Sequence, residues 1–124
     1  MSHVISSELI AQHSLNAQQN ELVDRIARLA SEDGLHDTAL APLKLARRNA
    51  PTPCAPNLYE PCLCIVVQGS KIAILGKQIY QYDPLNYLVV SMTLPMLGQV
   101  TEATPEKPYL SLRLNIDLEQ IAAL

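Results

Sequence analysis

From residue 63 onward, apolar and polar positions alternate in short runs, and each run ends at a turn residue. A period of two places successive side chains on opposite faces of a sheet, so the pattern predicts strands over residues 63–68, 71–75, 78–82, 87–91, 98–103 and 109–114. An earlier alternation sets Ala41, Leu43 and Leu45 against Pro42, Lys44 and Ala46. It predicts a first strand between residues 38 and 48, at a sheet edge because proline cannot donate to a ladder. Pro51, Pro53, Pro56 and Pro61 predict a stiff, extended connection to the next strand. Gly69-Ser70 and Gly76-Lys77 each separate two runs by two residues, the spacing of a β-hairpin. Pro84-Leu85-Asn86, Leu94-Pro95 and the stretch from Pro105 to Pro108 mark later turns. So many short strands predict a mainly β protein, an antiparallel sandwich or barrel.

Upstream the period changes. Leu15, Leu22, Ile26 and Leu29 recur at helical spacing across residues 16–31, with Gln18, Gln19, Asp24 and Arg28 on the solvent side and Gly34 as the stop. Such a helix covers a sheet edge or forms part of a dimer contact. At the other end, Asp117-Leu118-Glu119-Gln120 has a capping-box pattern that starts a second helix. The expected organisation is a helical segment over residues 1–37, a β-barrel over 38–116 and a helix beginning over 117–124. A helix of about two turns is marginal alone, which predicts that the natural protein continues past Leu124.

Composition narrows the function classes. The 124 residues suit one domain with one core, and 48% apolar against 17% charged residues describe a folded chain. Five Tyr with no Phe and no Trp leave ligand stacking to the tyrosines. The formal charge is −3, with five basic and six acidic residues up to Arg48 and four and six beyond it. Neither half has the basic patch that neutralising a phosphate backbone requires, so nucleic-acid binding by this chain is not expected. No signal peptide or membrane-length apolar run is present, which predicts a cytoplasmic location.

The chemistry-bearing motifs are few. The glycines form no phosphate-cradling loop, and no Gly-x-Ser-x-Gly elbow is present. Cys54, Cys62 and Cys64 cannot all pair within the chain, which fits a reducing compartment. Cys62 and Cys64 share one strand face as small core residues; redox sensing with Cys54 is the sharper reading of the same three thiols. His3, His13 and His36 all lie outside the expected barrel, so no histidine metal site and no cofactor are expected. Glu60, Asp83, Glu102 and Glu106 fall at strand ends, as solvated loop acids do. The strand faces carry more. Cys62, Cys64, Val66 and Gln68 share one face, and Tyr109, Ser111 and Arg113 share a face opposite Leu110, Leu112 and Leu114. Polar tips beside apolar walls are how small-molecule pockets are built. The candidate contacts are Gln68, Gln99 and Arg113, with Tyr80, Tyr82 and Tyr87 as candidate walls.

An ordered series of motifs adds a resemblance. Pro61-Cys62-Leu63-Cys64-Ile65-Val66-Val67-Gln68-Gly69, Tyr80-Gln81-Tyr82-Asp83, Tyr87-Leu88-Val89-Val90-Ser91, Leu94-Pro95, Gly98-Gln99-Val100 and Pro108-Tyr109-Leu110-Ser111-Leu112-Arg113-Leu114 resemble the N-terminal domain of AraC-type transcriptional regulators. The likeness runs from about Leu43 to Leu124. It implies a cupin-like double-stranded β-helix, or jelly-roll barrel, that binds a small-molecule effector, contacts a partner subunit as a homodimer, or both. It also implies that DNA is read by a helix-turn-helix domain absent from this chain. A regulatory module rather than an enzyme is therefore expected. The alternatives are a metal-independent cupin enzyme such as an isomerase or epimerase, and a dimerisation scaffold with a filled barrel.

Overall fold

The computed structural model describes residues 17–84, 86–117 and 119. Among the described residues, a helix precedes nine strands: β1 Gly34–Asp37, β2 Leu43–Arg48, β3 Ala55–Tyr59, β4 Cys62–Gln68, β5 Ser70–Leu75, β6 Gln78–Tyr82, β7 Tyr87–Val90, β8 Leu94–Glu102 and β9 Tyr109–Asn115. They form two antiparallel sheets, of order β1-β2-β9-β4-β7 and β3-β8-β5-β6. The protein is mainly β, as the alternation predicts.

Pairing fixes which side chains meet. On the first sheet Cys64 stands opposite Arg113 and Val66 opposite Ser111, while Lys44, Ala46 and Arg48 register with Arg113, Ser111 and Tyr109. Directly opposed residues share a face, so these line one surface. On the second sheet Lys71, Ala73 and Leu75 oppose Tyr82, Tyr80 and Gln78. These two faces meet across a core of Tyr59, Cys62, Val66, Ala73, Tyr82, Val90, Met96, Val100, Ala103 and Tyr109.

The helix occupies residues 17–29 and covers the outside of the first sheet. Its packed face keeps Ile26 of the expected stripe but not Leu22 or Leu29, and Leu15 lies outside the described residues. Ile26 and Ala30 are buried with Val23 and Ala27 beside them, against Leu45, Val67, Leu110, Ile65 and Leu112, whereas Leu29 is 72% exposed. Alanines let the helix lie close to the sheet. Gln19, expected in solvent, donates from Nε2 to the Val67 carbonyl at 2.9 Å. Arg47 Nη1 donates to the carbonyls of Ala27 and Ala30 at 3.5 and 3.1 Å, satisfying the groups a helix C-terminus leaves over.

Five other expectations change. The strand expected at an edge, β2, is paired on both sides by β1 and β9, and Pro42 stands just before it. The helical segment expected to residue 37 gives way to β1 at Gly34, which puts His36 on an edge strand of the first sheet. The Pro51–Pro61 stretch is not all loop: β3 pairs with β8 at the open edge of the second sheet, where Pro56 needs no donor. Leu94 and Pro95 belong to β8 rather than to a turn. Gly69-Ser70 makes no hairpin, because β4 and β5 lie in different sheets. Gly69 takes φ +82° there, and a Cβ would meet the Glu102 carbonyl oxygen at 2.5 Å and Tyr109 Cα at 2.9 Å. Gly76-Lys77 does close the β5–β6 hairpin, with Leu75 opposite Gln78. Of the second expected helix, most residues lie outside those described; the Glu119 amide donates to Asp117 Oδ1 at 3.0 Å, as an N-cap requires.

Candidate functional site

Two hollows compete for attention. The larger, about 490 Å³, lies where the helix meets the β4–β5 crossing and is lined in part by Gln19, Gln68, Ser70 and Glu102. Its polar groups are already engaged: Gln68 Nε2 donates to the Pro108 carbonyl at 2.9 Å, and Ser70 Oγ to Glu102 at 3.3 Å. The smaller, about 240 Å³, lies between the sheets and draws lining residues from β1, β2, β3, β4, β5, β6, β8 and β9. Here three polar atoms lack a partner. The hydroxyls of Tyr59 and Tyr82 and the Nε of Arg113 are buried without a hydrogen-bond partner in the protein. Buried polar atoms of this kind are costly, so three converging on one cavity mark it as the stronger site.

The walls follow from strand alternation. Tyr59 from β3, Tyr82 from β6 and Tyr109 from β9 are 2%, 3% and 4% exposed. Arg48, Lys71 and Arg113 supply positive charge, Ser111 and Asn57 supply neutral polar groups, and among the described residues no Asp or Glu lines the cavity. The Lys71 ammonium lies 5.4 Å from the centre of the Tyr59 ring, within cation–π range. Gly98 opens the space that Tyr59 fills, since a Cβ there would stand 3.0 Å from the phenol oxygen.

Electrostatics set the protonation states. Burial opposes the charge on Lys71, but the phenols of Tyr109 and Tyr59 outweigh it and hold the ammonium above its ordinary range. Burial raises Tyr82 and Tyr109, Tyr59 adding to the first and Lys71 opposing the second, so both phenols stay neutral donors at pH 7. Burial, reinforced by Cys62 with its sulfur 3.7 Å away, pushes the Cys64 thiol up to about 12. At the rim, Arg48 Nη1 pairs with Asp33 at 3.1 Å. Asp33 also accepts from the Asn49 amide at 2.9 Å; that bond outweighs the opposing effect of burial and, with Arg48 adding to it, holds the carboxyl below the usual range.

Of the residues singled out in the sequence, the cavity brings together Tyr82 and Arg113. Gln68 lines the helix-side hollow, and Gln99 lines a shallow outer hollow shared with Arg48 and Lys71. Tyr80 and Tyr87 are 42% and 68% exposed. Tyr59 and Lys71 are the additions. Tyr59 hides in a proline-rich stretch that reads as loop, but Lys71 was within reach, because the Lys71, Ala73, Leu75 alternation puts it on the core face. A metal centre does not fit the lining, which offers no His, Asp or Glu. Among the described residues no three His, Cys, Asp or Glu come together, and no helix is long and apolar enough to cross a membrane.

Fold and site together define a small antiparallel β domain, covered by one helix, with a polar cavity between its sheets. Comparison places it more narrowly: residues 39–124 match the family described as the AraC-type transcriptional regulator N-terminus, and the chain belongs to that family. No curated protein matches it. Among solved structures it is similar to KdgF from Halomonas sp., at 20% identity over 69% of this chain and 82% of that one, with a TM-score of 0.43.

Proposed function

We propose that this chain is the sensing module of an AraC-type regulator, with a small-molecule effector held in the cavity between the two sheets. The observation that carries the reading is the convergence of the unpartnered Tyr59, Tyr82 and Arg113 groups on an enclosed space of about 240 Å³. A jelly-roll description of the barrel is supported by the chain path, which alternates between the sheets at β2, β3, β4 and β5 and again at β6, β7, β8 and β9. Binding rather than catalysis is supported by the raised thiol, phenol and ammonium groups, none of which is poised near neutrality as an acid–base catalyst would be. In this reading the module works in the cytoplasm as a homodimer, and a separate helix-turn-helix domain reads paired DNA half-sites. Effector occupancy acts by favouring one arrangement of the connecting elements over another.

The test is a thermal-shift screen of small polar metabolites against the wild-type chain and against Ala46→Leu, which fills the cavity from β2. A true effector at a hundred times its Kd stabilises the fold by about 2.7 kcal/mol, a shift of several degrees. The shift disappears in Ala46→Leu if the cavity is the site. A ligand that shifts both proteins equally binds elsewhere, and a screen without any hit favours the filled scaffold.

A further inference from the structure

We infer that the effector is a compact organic carboxylate, its carboxylate group held between Lys71 of one sheet and Arg113 of the other. The inference rests on the cavity being the binding site and adds the charge and chemical class of its occupant.

The cavity carries positive charge without acids to offset it. Among the described residues the ion pairs are Arg25 with Glu21, Lys44 with Asp37 and Arg48 with Asp33. Of the three cations that line the cavity, only Arg48 has an acidic partner, and that partner is at the rim. Lys71 and Arg113 have none. An arginine cannot shed its proton and a lysine is ordinarily protonated at neutral pH, so two positive charges share a largely enclosed space in a protein whose net charge is −3. Removing an ion from water without a partner is expensive, and the arrangement persists most readily if an anion completes it.

The donor geometry selects the kind of anion. The Nε of Arg113 is buried without a partner, which leaves the Nε edge of the guanidinium able to grip two oxygens of a planar carboxylate. The hydroxyls of Tyr59 and Tyr82 lie buried with the same need of a partner. Three tyrosine rings supply apolar walls for the rest of the molecule. A volume of about 240 Å³ equals that of roughly eight waters, room for an acid of on the order of ten non-hydrogen atoms.

Calorimetric titration of the whole chain with acetate, pentanoate, cyclohexanecarboxylate and cyclohexyl phosphate, each organic acid matched by its neutral primary amide, tests this. Pentanoate or cyclohexanecarboxylate is expected to bind more tightly than its amide by about tenfold to a hundredfold, and Lys71→Met and Arg113→Met each to erase that preference. Both variants are expected to melt no lower than wild type without ligand, because each removes an unpaired charge. If no acid outbinds its amide, the inference is overturned. If amides bind while acids do not, and Ala46→Leu abolishes that binding, the cavity stands and its charge preference falls. Acids that bind Ala46→Leu as well as wild type overturn both readings, and a preference for cyclohexyl phosphate overturns the carboxylate.

Discussion

At the scale of single residues, two buried positions are expected to answer substitution in opposite ways. Gly69 is irreplaceable by geometry: a positive φ and a Cβ position 2.5 Å from a backbone oxygen cannot both be relieved by a side-chain adjustment. Gly69→Ala is expected to lose about 3 kcal/mol or more in urea titration, a large share of what a domain of this size possesses. Tyr82 is replaceable by the same kind of reasoning. Its ring is buried in the core, but its hydroxyl has no partner, so Tyr82→Phe keeps the packing and removes a polar group with no compensating bond. The variant is expected to be as stable as wild type or to gain up to about 1 kcal/mol, while effector binding weakens. Period-two alternation points to Arg113, while Tyr82 stands among three candidate tyrosines of which Tyr80 and Tyr87 are exposed. Sequence reading had no access to Tyr59, because a strand that pairs on one side only and contains proline gives no alternating signal.

At the scale of elements, the strands were more legible than their partners. The Gly76-Lys77 signal found a true hairpin, whereas the same two-residue spacing at Gly69-Ser70 marks a crossing between sheets. Spacing reports that the chain turns and is silent on which sheet receives it. The helix shows a similar limit, since an amphipathic pattern with several leucines has more than one apolar face. The sheet chose the face with alanines, because Val67 and Leu110 stand close beneath it. Truncation separates the two faces: Ile26→Ala is expected to cost about 2–4 kcal/mol by leaving a cavity under the helix, and Leu29→Ala to stay within about 0.5 kcal/mol. Equal losses in thermal or chemical melts would place Leu29 on the packed face beside Ile26, as the sequence pattern predicts.

At the scale of the whole molecule, the charges divide by location: acids lie at the surface and rim, and uncompensated cations lie inside. This division gives stability a definite dependence on pH. Asp33 and Asp37 are both held below the ordinary carboxylate range, Asp33 first by the Asn49 amide and Asp37 by Lys44. A group whose folded value is depressed contributes stability above its unfolded value, and loses that contribution as pH falls through the folded one. Stability is therefore expected to be flat from neutral pH down to about pH 4 in respect of these groups, then to fall as they protonate. Both groups are exposed, so solvent screens the effect, and Asp33→Asn is expected to cost only about 0.5 kcal/mol at pH 7. The diagnostic is the shape of the curve: urea midpoints measured from pH 7 to pH 3 should fall less steeply in Asp33→Asn than in wild type. The same substitution also removes the partner of Arg48 at the cavity rim, leaving three cations without acids where wild type has two. If the cavity holds an anion, Asp33→Asn should tighten its binding while slightly weakening the fold, a pairing of effects that loss of a merely structural contact would not produce.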